Sequence, residues 1–136
     1  MGERKLMFGI RQGVDIVDIR RISKIHNVYG EKFEKKIFSD SEIKNLNLTN
    51  KIKKRRIEKI SGRFALKEAL SKAVGTGFNS KLSYRDINII DESTGAPKIL
   101  LNQSLKKIIN KNKFSISCSV SHEKNYAIGV VTILIQ

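Results

Sequence analysis

The side chains with the clearest chemical potential lie between residues 60 and 74, where the sequence predicts a helix. On a helical wheel this segment is apolar almost all round, and such helices are usually buried. Arg63 and Lys67, one turn apart, fall inside the apolar arc. Glu68 and Lys72 form a second pair at the same spacing on a narrow polar strip.

Two interpretations of these four charges stay open. They can make ordinary helix salt bridges worth roughly 0.2–0.5 kcal/mol each. Alternatively, a buried helix carries two cations and a carboxylate because it lines a site for an anion and a metal ion. Spacing alone favours salt bridges, whereas burial of the charges would favour a site, because buried charges are costly unless they are paired.

Asp15 is the second carboxylate of interest, placed where a predicted strand gives way to a helix, directly after Gly13 and Val14. As an N-cap it would accept hydrogen bonds from free helix N–H groups, an interpretation that fully explains it. Asp18, one turn on, would then favour the helix dipole. In the alternative, Asp15 meets Glu68 in space, since two carboxylates with water and substrate phosphates commonly hold Mg²⁺.

The remaining polar motifs argue against several enzyme classes. His122 lies near the end of a predicted strand, where a lone histidine is more often a surface residue. Ser121 and Glu123 flank it directly, which is the wrong arrangement for a catalytic triad because triad partners converge from separate segments. The glycine pair at residues 75–77 is too short for a nucleotide-binding loop. Hydrolase and ATPase functions are therefore poorly supported.

The first half of the chain predicts helices that would position these residues. A period of two residues in the apolar pattern predicts a first strand over residues 6–14. Isoleucines at every third residue from Ile16 predict the helix that follows. Ser39 or Ser41 can cap a short helix ahead of Glu42. A basic run at residues 51–59 precedes a third helix over residues 57–74, with a C-cap at Gly75.

The second half predicts strands. Short strands at residues 86–90 and 98–101 flank a turn, and Asn102 or Ser104 can start a helix over residues 105–110. Alternation then predicts strands over residues 114–120 and 126–135. Helices in the first half of the sequence and hairpins in the second half predict one α+β domain over residues 1–136, with an antiparallel sheet packed against helices.

Composition limits the partners and the compartment. Against 13 acidic residues stand 27 Lys and Arg, a net charge of +14 that favours an anionic partner: nucleic acid, a membrane surface, a phosphate-rich cofactor or an acidic protein. Cys118 is the single cysteine, so no internal disulfide can form and a cytoplasmic location is expected. The longest apolar run, at residues 127–135, is too short to span a bilayer as a helix.

Four segments, taken in order, resemble the holo-acyl-carrier-protein synthase family, the short bacterial 4′-phosphopantetheinyl transferases. They are GVDIVDI at residues 13–19 with Arg21 and Ile22, GRFALKEA at 62–69 with the glycines at 75–77, GAP at 95–97, and SVSH at 119–122 with Tyr126 and Ala127. The sequence departs from the family pattern at Arg11, Gln12 and Leu66. The resemblance implies a 4′-phosphopantetheinyl transferase-like domain.

The resemblance also implies a reaction and a catalytic set. The 4′-phosphopantetheine group would move from coenzyme A to a serine of apo-acyl carrier protein, releasing adenosine 3′,5′-bisphosphate and supporting fatty acid synthesis. Asp15 and Glu68 would hold Mg²⁺, and Glu68, directly or through a bound water, would deprotonate the serine. Lys67 would lie beside the phosphates or the leaving oxygen.

Binding residues follow from the same resemblance. The acidic carrier protein would dock on the first helix through Arg20, Arg21, Ile22 and Ile25. Members of the family are typically homotrimers with active sites between subunits, so His122 or Arg63 could serve a neighbour's site. The residues expected to bind coenzyme A are Arg55, Arg63, Lys67, Lys72, Gly75, Thr76 and His122.

Two rival functions are each compatible with part of the sequence. The net charge and the basic run at residues 51–59 suit a nucleic-acid-binding protein, but no RNA- or DNA-recognition signature supports it. A carrier-binding module that has lost catalysis is disfavoured because Asp15, Lys67 and Glu68 are all present. We therefore expect no nucleic-acid partner and no membrane span.

Overall fold

The computed structural model describes residues 9–75, 82–109 and 113–136, which form an α+β fold. In its three-stranded antiparallel sheet, the strand over residues 126–135 lies between those over residues 9–18 and 114–122, and residues 89–91 and 97–99 pair in a separate hairpin. The predicted fold class is confirmed. The elements in chain order are β1 (Gly9–Asp18), α1 (Ile19–Tyr29), α2 (Glu31–Ile37), α3 (Asp40–Thr49), α4 (Lys53–Val74), a 3-10 turn (Tyr84–Asp86), β2 (Ile89–Asp91), β3 (Pro97–Ile99), α5 (Gln103–Ile109), β4 (Phe114–His122) and β5 (Tyr126–Ile135).

The junction between β1 and α1 differs from the sequence prediction. β1 pairs with β5 from Gly9 through Asp18, so sheet hydrogen bonding keeps Asp15 extended and the helix begins only at Ile19. Asp18 is the N-cap, and its side chain accepts a hydrogen bond from the backbone N–H of Arg20 at 2.9 Å. The prediction that Asp15 caps the helix was therefore wrong.

The boundaries of α3 and α4 agree more closely with the sequence prediction. Ser39 caps α3 in a capping box with Glu42, as one of the two predicted options. The long helix α4 begins at Lys53, four residues earlier than predicted, and ends as predicted at Gly75, whose φ of 90° is a left-handed value that glycine adopts easily. The strand predicted over residues 86–90 is displaced, because Asp86 ends the 3-10 turn and β2 begins only at Ile89.

Two glycines bring α4 into direct contact with the sheet. A Cβ atom on Gly13 of β1 would overlap the backbone carbonyl of Ala69, and one on Gly129 of β5 would lie 2.6 Å from the backbone nitrogen of Leu66. Any side chain at either position would push the helix away from the strands. The helix-facing side chains of β1 and the side chains of α4 therefore lie close together.

Helix α4 also joins the two halves of the core. Leu66 and Leu70 pack with Val131 and Ile133 of β5, while Ile57 and Ile60 pack with residues of α1–α3. The predicted burial of this helix is confirmed. The opposite face of the sheet is exposed and apolar, with three cross-strand pairs: Ile10 with Leu134, Val14 with Val130, and Ile16 with Ile128.

Candidate active site

The first candidate site is a groove of about 420 Å³ between β1, α1 and α4, which we call the acidic groove. It brings together both predicted metal ligands and most of the predicted carrier-binding residues. Asp15 contributes from β1 and Glu68 from α4, because the glycine contacts hold those elements together. The other lining residues used below are Arg21, Ile22, Ile25 and Phe64.

Asp15 is paired with a lysine from the helix. Lys72 Nζ lies 3.0 Å from Asp15 Oδ1 and 3.0 Å from the carbonyl oxygen of Val14. The predicted ion pair of Lys72 with Glu68 is thus replaced by one with Asp15. The Lys72 side chain is 55% exposed, so it is free to move when an anion approaches.

Glu68 is held by a tyrosine that the sequence analysis did not single out. The Tyr84 hydroxyl donates a hydrogen bond to Glu68 Oε1. Its ring stacks on Phe64, with ring centroids 5.6 Å apart and planes inclined by 27°. Burial raises the pKa of Tyr84, and the hydrogen bond to Glu68 raises it further. The phenol therefore remains a proton donor to the carboxylate at neutral pH.

The donors of the acidic groove suit a hard divalent cation. Carboxylate oxygens are what Mg²⁺ takes from proteins, usually one or two of them together with water and substrate phosphates. Asp15 and Glu68 supply two such groups in one groove. Across residues 9–75, 82–109 and 113–136, no cluster of three or more His, Cys, Asp or Glu side chains suits a metal ion, so a zinc-type site is not found there.

The predicted carrier-binding residues fall into two groups. Arg21 is exposed and Ile25 partly exposed at the groove, whereas Ile22 is only 3% exposed and belongs to the core. Arg20 lies beside them, with Nε 3.0 Å from Asp18 Oδ1 and its guanidinium 5.5 Å from the ring centre of Tyr126. Of the four predicted residues, Arg20, Arg21 and Ile25 are thus accessible on α1, whereas Ile22 packs in the core.

A second opening, which we call the basic cavity, has a volume of about 340 Å³ and shares no lining residue with the acidic groove. It collects three of the residues predicted to bind coenzyme A: Arg55, Arg63 and His122. Gly62 lines it as well, and a Cβ atom there would lie 3.1 Å from Val120 Cγ2. These three residues therefore lie in a different opening from the predicted metal ligands Asp15 and Glu68.

Arg63 is the buried cation of the basic cavity. Its Nη2 donates to Asp91, a carboxylate that also binds Lys59 Nζ at 2.7 Å. Within the part of the chain that the structure describes, Arg63 Nη1 is buried without a hydrogen-bond partner. Burial lowers the pKa of Arg63, and Asp91 opposes that shift. An unpaired buried N–H is costly, so an anion bound here would supply a missing acceptor.

Lys67 lies elsewhere than the resemblance implied. Its side chain is fully enclosed, and Nζ donates to the carbonyl oxygen of Ile37 at 2.8 Å, to Glu42 Oε1 at 2.7 Å and to the carbonyl oxygen of Tyr84 at 2.9 Å. An ammonium group has three N–H donors, and all are used. Burial lowers the pKa of Lys67, with Glu42 opposing the shift. In this arrangement Lys67 cannot contact a phosphate.

The last two predicted coenzyme A residues follow α4. Gly75 is exposed, and its N–H donates to the carbonyl oxygen of Ser71 at 3.0 Å. Thr76 lies outside the described residues. These positions stay expectations drawn from the resemblance.

Sequence reasoning missed three side chains that hold the site residues: Glu42, Tyr84 and Asp91. Glu42 had a visible signal, the capping box with Ser39, but nothing local indicated that it would also neutralise Lys67. Asp91 and Tyr84 act on residues 28 and 16 positions away. No short-range pattern could have indicated either contact.

Comparisons with known proteins agree with this geometry. A family model described as the 4′-phosphopantetheinyl transferase superfamily matches residues 11–131. The holo-acyl-carrier-protein synthase of Pelagibacter ubique (strain HTCC1062) is 41% identical over 124 residues, which cover 88% of this chain and 91% of that protein. The corresponding enzyme of Chloroherpeton thalassium is 37% identical over 122 residues, covering 89% of this chain and 94% of that protein.

A solved structure shares the fold as well. The crystal structure of the Helicobacter pylori holo-acyl-carrier-protein synthase in complex with coenzyme A superposes with a TM-score of 0.76 and 38% identity, covering 90% of this chain and 98% of that one. Because the family model matches residues 11–131 and these three relatives are 37–41% identical over 88–90% of this chain, the chain belongs to the 4′-phosphopantetheinyl transferase superfamily, among the holo-acyl-carrier-protein synthases.

Proposed function

We propose that this protein transfers the 4′-phosphopantetheine group of coenzyme A to a serine of apo-acyl carrier protein. The serine oxygen forms a bond to the β-phosphorus, and the bond from that phosphorus to the bridging oxygen breaks. Adenosine 3′,5′-bisphosphate leaves with the electron pair. The observation that carries the proposal is the acidic groove, where Asp15 and Glu68 meet the exposed residues of α1.

The acidic groove supplies the reacting groups. Asp15 and Glu68 would hold Mg²⁺, which as a Lewis acid neutralises charge on the phosphoryl oxygens. Glu68 accepts the proton of the serine hydroxyl, directly or through a bound water. Lys72, an exposed cation hydrogen-bonded to Asp15, would be available to pair with an anionic phosphate.

The basic cavity receives the nucleotide end of coenzyme A. Arg63 offers its unpaired Nη1, and Asp91 holds the rest of the guanidinium in place. Arg55 and His122 are exposed side chains of the same cavity and can contact further phosphate oxygens. Charge-assisted hydrogen bonds from arginine suit phosphate groups because the guanidinium donors match their geometry.

We propose that the protein is a homotrimer in which each active site lies between two subunits. One subunit supplies the acidic groove and its neighbour supplies the basic cavity. The exposed apolar side chains of β1 and β5 support self-association through this face of the sheet, since Ile10, Val14 and Ile16 are 69%, 56% and 61% exposed in the isolated chain. The basic cavity of one subunit would then complete the acidic groove of the next. Analytical ultracentrifugation tests this assembly, and Val14→Glu should reduce the mass to that of a monomer.

Docking of the acidic carrier protein is assigned to the basic surface of α1. Arg20, Arg21 and Lys24 are all exposed around the partly exposed Ile25. Opposite charge on the two surfaces accelerates encounter and makes the rate fall as salt is added. The reaction would support fatty acid synthesis in the cytoplasm, where the free thiol of Cys118 stays reduced.

The experiment that tests the proposal is a transfer assay. The protein is mixed with coenzyme A, Mg²⁺ and apo-acyl carrier protein, and the carrier is weighed by mass spectrometry. Gain of one phosphopantetheine group is expected. Glu68→Gln and Asp15→Asn should abolish it, while Asp40→Asn, at a carboxylate that is 95% exposed, should not. An unchanged carrier mass with the parent protein would refute the function.

Arg21→Glu tests the docking surface separately. We expect the KM for the carrier protein to rise at least about tenfold, since a rim charge acts mainly on encounter. The KM for coenzyme A should stay near its parent value. Lys106→Glu, an equal charge change at an exposed position of α5, is the control. Equal increases of both KM values in Arg21→Glu would contradict a docking role.

A further inference from the structure

The side chain of Tyr84 spans one turn of α4 and reaches Glu68. Its ring lies on Phe64, and its hydroxyl donates to Glu68 Oε1 one helical turn further on. Phe64 and Glu68 both line the acidic groove. The ring contact fixes the direction of the Tyr84 side chain, and the hydroxyl then fixes the carboxylate.

The backbone of Tyr84 is anchored as firmly as its ring. Its carbonyl oxygen accepts a hydrogen bond from Lys67 Nζ at 2.9 Å, and the same ammonium group is paired with Glu42 in the protein interior. The 3-10 turn that contains Tyr84 is closed by a capping box, in which the N–H of Ser83 donates to Asp86 Oδ2 at 2.8 Å. Tyr84 cannot shift relative to α4 without disturbing a fully buried ion pair.

This anchoring gives Lys67 a use that differs from a phosphate contact. Lys67 and Glu68 are adjacent on α4, and their side chains meet the same residue from two sides, Lys67 at the backbone of Tyr84 and Glu68 at its hydroxyl. A chain of contacts therefore runs from the buried Glu42 through Lys67 and Tyr84 to the groove. Each member fixes the next one.

We propose that Tyr84 is a positioning residue that holds Glu68 in the orientation needed to bind the divalent cation, an inference that rests on the proposed function. The phenol occupies Oε1 and leaves Oε2 for the ion or for the serine hydroxyl. Partners that orient metal ligands in this way typically change metal affinity or activity 10–100-fold when they are removed, so about a tenfold effect is expected here.

Tyr84→Phe tests the hydroxyl alone, because phenylalanine keeps the stacking on Phe64. Mn²⁺ is the probe, and its binding to the full chain is followed by electron paramagnetic resonance without coenzyme A or carrier. We expect the Kd for Mn²⁺ to rise about tenfold, kcat at a fixed subsaturating Mg²⁺ concentration to fall, and the KM for the carrier and the unfolding midpoint to stay at parent values. Tyr29→Phe, at an exposed residue of α1, should change none of these quantities.

The outcomes separate this inference from the function on which it rests. If Glu68→Gln loses Mn²⁺ binding while Tyr84→Phe binds Mn²⁺ like the parent, the positioning role is overturned and the metal site stands. A lowered unfolding midpoint in Tyr84→Phe, with Mn²⁺ binding unchanged, would also overturn it in favour of a purely structural role. If the parent chain binds no Mn²⁺, both the metal assignment and the positioning role fail.

Discussion

Arg63 and Lys67 lie one turn apart on α4, and both are buried, yet their surroundings differ. Lys67 has an acceptor for each of its three N–H groups, including the buried carboxylate of Glu42. Arg63 shares Asp91 with Lys59, and its Nη1 has no partner among the described residues. A buried cation whose N–H donors are all used has no donor left for a ligand, whereas Arg63 keeps an unused donor in a residue that lines the basic cavity.

The largest expected effect on stability concerns Lys67, the cation whose three N–H donors all have acceptors. Lys67→Met leaves the Glu42 carboxylate buried without its counter-charge, so we expect the free energy of unfolding to fall by about 3–5 kcal/mol. Urea denaturation followed by circular dichroism measures this loss. Adding Glu42→Leu to Lys67→Met removes the unpaired charge and should restore part of the stability. If Lys67→Met alone were as stable as the parent, Lys67 would not stabilise the fold in the way proposed.

The second prediction concerns Arg63, the cation whose Nη1 has no hydrogen-bond partner among the described residues. Arg63→Gln should weaken coenzyme A binding by about 1.5–3 kcal/mol, the usual contribution of a hydrogen bond to a charged group. That loss corresponds to roughly a 10–100-fold higher Kd in isothermal titration calorimetry. Stability should change less than in Lys67→Met, because Asp91 keeps Lys59 as a partner. A large loss of stability with normal coenzyme A binding would place Arg63 in the same class as Lys67.

These two cations also show what the sequence can and cannot predict. Periodicity located α4, its burial and its end at Gly75, and alternation located β4 and β5, because these patterns are local. The helical wheel placed Arg63 and Lys67 on the same buried side but could not show what lies opposite each of them. Glu42 and Asp91 reach α4 only through tertiary packing, from α3 and β2.

The same limit explains the error at Asp15. A strand and a helix were both compatible with residues 15–18, and the pairing with β5, more than a hundred residues away in the sequence, extended the strand through Asp18. The candidate site was recovered despite this error. The motifs named Asp15 and Glu68 as the candidate carboxylates, and only the structure placed Asp15 on the helix-facing side of the sheet with Glu68 in one groove.

A third prediction concerns Arg56, another cation of α4, whose Nε and Nη2 groups donate to Glu34 and whose Nη2 also donates to Asn47. Its partner Glu34 is buried, and although burial alone would raise the pKa of this carboxyl, hydrogen bonds from Arg56 and His26 lower it on balance. A carboxyl whose pKa is lower in the folded state stabilises the fold above its unfolded pKa, near 4.5. That contribution disappears as the pH falls through the lower folded value.

Thermal unfolding between pH 6 and pH 3 measures this contribution, with both pH limits set about two units around the ordinary carboxyl pKa. The unfolding midpoint of the parent should fall more steeply below about pH 4.5 than that of Glu34→Gln, which has no proton to gain at this position. Asp40→Asn, at an exposed carboxyl, is the control. Parallel curves for the parent and Glu34→Gln would show that the pair with Arg56 adds little.

The smallest expected effect belongs to Lys72, an exposed cation in the last turn of the helix. Its pair with Asp15 is in contact with solvent, so Lys72→Met should change the free energy of unfolding by no more than about 1 kcal/mol. Urea denaturation again provides the measurement, with Lys106→Met as the matched exposed control. If Lys72→Met lowered the free energy of unfolding as much as is expected for Lys67→Met, exposure would not determine how much a cation of this helix contributes to stability.

The glycines at 13 and 129 have a consequence for how this protein can change over time. Because backbone atoms set the distance between α4 and the strands, that distance does not depend on which apolar side chains fill the core nearby. Substitutions among Leu, Ile and Val elsewhere in the core can accumulate without moving Asp15 relative to Glu68. The spacing of the two carboxylates therefore depends on two positions that have no side chain, where any substitution would push the helix and the strands apart.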